Sequence, residues 1–290
     1  MNQVSEIRRV GVVGCGLMGS GIAEVCARSG LDVLVSEVAP EALRAGQDRL
    51  TTSLAKGVAR GKLSAEERDA ALSRLRFTTD LGEFADRELV IEAIAENEQV
   101  KSEVFATLDK TVTSREAILA SNTSSIPIAR LGTATSRPDH VIGIHFFNPV
   151  PVLNLVELVP SLLTSELTAT RAARFATQTL GKEVITAKDQ AGFVVNALLI
   201  PYLLAAIRMV ESGVASTEDV DAGMVLGCAH PMGPLRLADL IGLDTTKAIA
   251  ESMHAEFKQL AYATPPLLSR MVDAGLLGRK VGRGFYDYSG

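Results

Sequence analysis

The sequence predicts an α/β protein: a doubly wound, mainly parallel sheet followed by an all-helical half. Three observations predict it. Short apolar runs with strand character alternate with helical patterns as far as about Thr186. A glycine-rich turn, GCGLMG, joins the first of these runs to the first helical pattern. After Lys188-Asp189-Gln190-Ala191-Gly192 the strand-like runs stop and only helical patterns remain. The expected division is therefore residues 1–187, carrying a helical insertion at about 40–75, and residues 188–290.

Composition narrows the function classes. The chain has 290 residues, 47% hydrophobic and 22% charged, as expected of a globular protein with a sizeable core. A net charge of -5 and the lack of a Lys/Arg cluster argue against nucleic acid as a partner. Cys15, Cys26 and Cys228 have no metal-ligand spacing, so no metal is expected, and they fit a reducing cytoplasm. The first residues, MNQVSEIRR, lack the apolar segment of a secretory signal. Ala191 to Ile207 is 17 residues without a charge, but Gly192, Asn196, Pro201 and Tyr202 interrupt it. A buried helix is expected there, not a membrane span.

Arg9 to Val13 reads as the first strand, and it runs into Gly14, Gly16 and Gly19 in G-x-G-x-x-G spacing. Gly14 permits the tight turn, Gly16 the approach of a pyrophosphate, and Gly19 close packing of helix on strand. The helix from Met18 to about Ser29 offers its N-terminal N–H groups to the phosphates. A second strand, Leu31 to Glu37, ends in an acid placed to accept from the adenosine ribose hydroxyls. Strand, glycines, helix, strand and acid in this order make a Rossmann-type dinucleotide site.

Pro40 to about Leu75 is helical and charged. Lys56 and Arg60 stand one turn apart and could meet an anion, although a solvated helix face explains them equally simply. Phe77–Thr79, Leu89–Ala95 and Ala117–Ala120 are further strand candidates. The last enters Ser121-Asn122-Thr123-Ser124-Ser125, where ligand loops sit in open parallel sheets. Val141 to Ile144 is another strand, with His145 expected just past its end.

Twelve residues on, Glu157 is the one acid in an apolar strand, Asn154 to Val159. The residues alone leave two readings: a core histidine with a stray glutamate, or a carboxylate that holds one imidazole nitrogen and frees the other as a general base. The second gains weight because the glycine loop, Ser124 and His145 should all open on one crevice. Glu166–Leu180 should be an amphipathic helix and Lys182–Thr186 a last strand. Phe193–Val210 is apolar on nearly every side and should be buried all round, in part by a second copy of the chain. Its polar exception, Asn196, is either a helix–helix hydrogen bond or a substrate contact. Helices should follow at Thr217–Val225, Pro234–Lys258 and Pro265–Ala274. The glycine-rich end, Gly278 to Tyr288, suggests only a loop.

These residues resemble the 3-hydroxyacyl-CoA dehydrogenases, nearly end to end. The likeness is carried by GVVGCGLMGSGIAEV, IEAIAENEQVK, ASNTSSIPI, IGIHFFNPVPVLNLVELV, GFVVNALL, HPMGPLRLADLIGLD and GRKVGRGFYDYS. The resemblance implies NAD as cofactor, with NADP disfavoured by the acid Glu37, and an acyl-CoA substrate of short chain, 3-hydroxybutyryl-CoA. It implies His145 as catalytic base, Glu157 as its partner, and Ser124 and Asn196 as polar contacts to the substrate oxygen. Beside Gly14, Gly16, Gly19 and Glu37, it implies that Leu17, Met18, Ala95, Glu96, Lys101, Ser124 and Asn148 line the cofactor site. Lys56 and Arg60 would meet the CoA, and a homodimer would form through the helical half. The alternatives are a dehydrogenase of another 3-hydroxyacyl thioester, such as 3-hydroxyadipyl-CoA, and a non-catalytic nucleotide-binding protein. An intact Ser124–His145–Glu157–Asn196 set argues against the latter.

Overall fold

The computed structural model describes residues 6–289. They form two compact units that divide between Asp189 and Gln190. Most of the N-terminal stretch read for a signal segment lies outside the described residues.

The first unit opens with β1 (Arg9–Val13), α1 (Leu17–Arg28) and β2 (Asp32–Ser36). The charged insertion is a helical pair, α2 (Pro40–Ala59) and α3 (Ala65–Ser73), the latter started by a Ser64–Glu67 capping box. The chain continues through β3 (Leu75–Thr78), β4 (Leu89–Glu92), α4 (Glu98–Thr111), β5 (Ile118–Ser121) and α5 (Ile128–Thr133). It closes with β6 (Val141–Phe146), β7 (Leu155–Pro160), α6 (Glu166–Arg174) and β8 (Glu183–Thr186).

The eight strands form one sheet in the order β3-β2-β1-β4-β5-β6-β7-β8. All neighbours run parallel except β6 and β7. The order reverses between β1 and β4, so the ends of those two strands flank the switch point where such sheets take ligands. The core lies between the sheet and its covering helices. Ile22 and Cys26 of α1 and Leu50 and Leu54 of α2 are sealed with Val10, Val12, Val33 and Val35. The antiparallel step has one consequence for the site: it sets His145 directly opposite Glu157. His145 lies within β6, one residue from its end, and not past it as the sequence suggested. The pairing with β7 carries the strand two residues beyond Ile144.

The second unit is helical: α7 (Val195–Glu211), α8 (Thr217–Cys228), α9 (Pro234–Ile241), α10 (Leu243–Phe257) and α11 (Pro266–Asp273). The single helix expected over Pro234–Lys258 is two. They meet at Gly242, whose φ of 104° is a conformation other residues rarely adopt. The expectation that α7 is buried all round is corrected for the single chain. Ile200, Leu203, Leu204 and Ile207 are sealed, but Leu198 is 74% exposed and Met209 42%. The glycine-rich end is not a free loop. Asp239 of α9, fully buried, accepts from the Phe285 and Tyr286 N–H groups at 2.9 and 3.0 Å and from the Tyr288 hydroxyl at 3.1 Å. A Cβ at Gly284 would stand 2.0 Å from that carboxylate, so the tail needs glycine to close around it. No helix among the described residues is long and apolar enough to cross a membrane.

Candidate active site

The glycine loop is shaped by contacts that forbid side chains at two of its three glycines. Gly14 has a φ of 96°, and a Cβ there would lie 2.6 Å from the Ala93 carbonyl oxygen. A Cβ on Gly19 would lie 1.8 Å from the Gly14 carbonyl oxygen. Gly16 is the opposite case, with open space where its Cβ would be. The helix α1 starts there with no side-chain cap and no acid in its first turn. The first N–H groups of any helix have no intrahelical partner, and here no side chain supplies one; with the open space at Gly16 this fits the pyrophosphate of a dinucleotide.

At the end of β2, Glu37 is half-buried and its Oε1 accepts from the Cys15 N–H at 2.7 Å. A carboxylate has lone pairs left for ribose hydroxyls, and its charge opposes a phosphate in the same place. Arg49 of α2, which the sequence did not single out, holds the loop from behind by donating to the Cys15 carbonyl at 2.8 Å. Burial, reinforced by the Glu37 charge and eased only in part by Arg49, pushes the Cys15 thiol up to about 11. Leu17 is exposed at the head of α1, and Met18 behind it packs on the core.

The second cluster stands at the ends of β4, β5, β6 and β7. His145 and Glu157 are buried, at 4% and 0% exposure. His145 Nδ1 lies 2.7 Å from Glu157 Oε2, and His145 Nε2 lies 3.0 Å from Ser124 Oγ. A carboxylate only accepts, so Nδ1 carries a hydrogen in this pair. In the neutral ring Nε2 is then bare, and the Ser124 hydroxyl donates to it. The Phe147 ring packs edge-on against the imidazole at a centroid distance of 4.7 Å. The Asn122 side chain accepts from the Phe146 N–H at 2.8 Å and ties the ends of β5 and β6 together.

The Ser124 turn is held by Glu96. Its Oε1 accepts from the Thr123 and Ser125 hydroxyls and from the Ser124 and Ser125 N–H groups. Its Oε2 lies 3.2 Å from the Lys101 ammonium, which is 1% exposed. Partial burial disfavours the Glu96 charge, but Lys101 and the Thr123 and Ser125 hydroxyls outweigh it and hold the carboxyl below the usual range. Asn97, which accepts from the Val100 N–H, starts α4 and places Lys101 one turn inside it. Ala95 and Asn148 are exposed on the loops beyond β4 and β6.

Among the residues singled out in the sequence, the structure joins Ser124, His145 and Glu157 in one chain of contacts, and Glu96 and Lys101 in an adjoining one. Lys56 and Arg60 are exposed at the end of α2 and stand outside both. Asn196 is buried in the first turn of α7, in the second unit. Sequence reasoning missed Glu92, Ser121, Thr123 and Ser125 as individuals. For Glu92 the signal was present, because it is an acid closing an apolar strand, as Glu157 is an acid inside one.

The chain has relatives along nearly its whole length. The family model for the 3-hydroxyacyl-CoA dehydrogenase NAD binding domain matches residues 9–190, and that for the C-terminal domain of the same enzymes matches residues 192–288. A 3-hydroxybutyryl-CoA dehydrogenase of Mycobacterium tuberculosis is 60% identical over 97% of this chain and 99% of its own. The mitochondrial hydroxyacyl-coenzyme A dehydrogenase of Sus scrofa is 42% identical over 97% of this chain and 91% of its own. Among solved structures, that of (S)-3-hydroxybutyryl-CoA dehydrogenase from Ralstonia eutropha is similar with a TM-score of 0.91. It is 44% identical, covering 98% of this chain and 100% of that one.

Proposed function

The chain belongs to the 3-hydroxyacyl-CoA dehydrogenase family, and from that premise we propose that it interconverts 3-hydroxybutyryl-CoA and acetoacetyl-CoA with NAD as its cofactor. The observation that carries the reading is the contact chain Ser124–His145–Glu157 beside a helix N-terminus that no side chain caps. When bound, the nicotinamide supplies the acceptor for the hydride that leaves C3. His145 Nε2 takes the proton of the 3-hydroxyl as the C–H bond breaks and the carbonyl forms. Glu157 keeps the imidazole in the tautomer that leaves Nε2 bare, and it balances the imidazolium that results. Ser124, displaced from Nε2 by the substrate hydroxyl, turns its own hydroxyl to the substrate oxygen. Asn196 is the proposed second contact to that oxygen, and Lys56 and Arg60 are the proposed partners of the CoA phosphates. In the reverse direction His145, as imidazolium, polarises the ketone and returns the proton.

NAD is preferred over NADP in this reading because Glu37 would meet a 2′-phosphate with like charge. A homodimer through α7 accounts for the apolar side chains, Leu198 and Met209, that the single chain leaves uncovered. Free buried Cys15 and Cys26 fit the reducing cytoplasm as its location. The test is a panel of CoA thioesters assayed with both cofactors. Turnover of 3-hydroxybutyryl-CoA with NAD is expected, at a kcat/KM well above that with NADP. Turnover of a dicarboxylic thioester alone would replace the substrate assignment, and equal use of both cofactors would remove the assignment to Glu37. Sedimentation of a monomer at micromolar concentration would refute the dimer.

A further inference from the structure

Glu92 closes β4 with no exposed surface, and its carboxylate is fully engaged. Oε1 accepts from Lys101 Nζ at 2.6 Å and from the Ile94 N–H at 2.7 Å. Oε2 accepts from the Ser121 hydroxyl at 2.7 Å. A carboxylate sealed from water at this depth is kept against a steep desolvation cost. Neutralising Lys101 does not require it, because Glu96 already stands 3.2 Å from the same ammonium. One lysine is therefore held by two acids, and the fully buried acid is the closer. Fixed from below by Glu92, the ammonium anchors Glu96 through Oε2 and leaves Oε1 wholly to the turn Thr123–Ser125. A second arm reaches the same turn. Ser121, while donating to Glu92, accepts from the Thr123 N–H at 3.1 Å.

We propose that Glu92 is a positioning residue, which sets Ser124 against His145 through two arms, Lys101–Glu96 and Ser121–Thr123. Ser124 Oγ stands 3.0 Å from His145 Nε2 because both arms converge on the turn that carries it. The effect on turnover rests on the dehydrogenase reading given above. The effect on the turn does not.

The substitution Glu92→Gln keeps the shape and removes the charge that grips Lys101. Two measurements judge it. Hydrogen exchange of the Ser124 and Ser125 amides, which Glu96 holds, should quicken by on the order of tenfold, while exchange in β1 and β2 stays unchanged. In a double-mutant cycle with Ser124→Ala, Glu92→Gln should lower kcat about tenfold in the otherwise native enzyme and less than about twofold when Ser124 is already absent. Unchanged exchange at the turn would overturn the proposal, as would an equal loss of kcat in both backgrounds, the mark of a general effect on the fold. If Glu92→Gln does not fold, Glu92→Asp carries the same two measurements. Its carboxylate withdraws by one methylene from both arms, and the same loosening is expected. An inactive wild-type protein would refute the proposed function, whereas the exchange measurement would still decide the role of Glu92.

Discussion

Glu157 in the sheet and Asp239 in the helical unit are both acids with no exposed surface, yet their partners are of different kinds. Glu157 holds a side chain, the imidazole of His145, whose far nitrogen meets the Ser124 hydroxyl. Asp239 holds backbone, the Phe285 and Tyr286 N–H groups, with the Tyr288 hydroxyl as its third donor. Its neighbour Asp221 behaves likewise, accepting from the Leu235 and Arg236 N–H groups at the head of α9 and from the Tyr286 hydroxyl. A buried acid held by backbone N–H groups fixes a chain path, and its loss is expected to cost stability. In the proposed reaction, one that holds a titratable side chain fixes a protonation pattern, and its loss is expected to slow chemistry. The two are equally buried, so the kind of partner is what is expected to separate their roles.

The largest effect that would break this contrast is at the proposed base. His145→Gln is expected to lower kcat by about 10²–10⁴ while leaving cofactor affinity near wild type, measured by steady-state kinetics and calorimetric titration. A variant that keeps most of its activity would remove His145 from the chemistry. Glu157→Gln should follow with a loss of roughly 10–100-fold in kcat, the usual cost of removing the partner that orients a functional histidine. An unchanged kcat would place Glu157 with the structural acids.

Asp239→Asn should show the reverse pattern. One of its two N–H partners would face an amide donor, so stability should fall by about 1–3 kcal/mol in denaturant titration, with kcat per folded molecule nearly unchanged. A loss of kcat without loss of stability would sink the comparison.

The smallest effect is in the pH dependence, and its sign differs between the regions. Glu96 is held below its ordinary value of 4.5 because Lys101 and the Thr123 and Ser125 hydroxyls outweigh its burial. Its contribution is thus fully present above the unfolded value and is lost as pH falls through the lowered folded one. Asp239 is raised above 3.8, chiefly by burial, against the pull of its amide and phenol donors. Its contribution is present below the unfolded value and is lost as pH rises through the raised folded one. Denaturant midpoints taken from pH 3 upward should therefore flatten in opposite senses for Glu96→Gln and Asp239→Asn, relative to wild type. Parallel shifts would show that the two acids are not in different settings.

The sheet and its ligand edge were largely legible in the sequence, because their determinants are local. Glycine spacing, apolar runs and a strand-end acid each reside in a few consecutive residues. Ser124 and His145 could be named from where their strands end, and Glu157 as the one acid inside an apolar run. The extent of β6 was not legible, since pairing with β7 lengthened it past His145. The break at Gly242 was missed because periodicity continues on both sides of it, and only the backbone angle shows the interruption. The closing segment read as a loop because its anchor, Asp239, lies 46 residues before Phe285. Glu92 stands out in the sequence as an acid closing an apolar strand, but what it holds does not. Its importance lies in partners on a helix and on the next strand, and no spacing rule connects those to a single acid in Leu89–Glu92.

The three cysteines differ in a way that matters at the bench. Cys15, behind the glycine loop, and Cys26, sealed in α1, are pushed by burial up to about 11 and about 12. Both are buried and held in the thiol form, whereas a maleimide is attacked by the thiolate. Cys228 closes α8 and is exposed. A thiol-directed dye added to the unmodified protein should therefore mark the helical unit at one position and spare the nucleotide loop, which turns the wild-type sequence into its own single-site reporter.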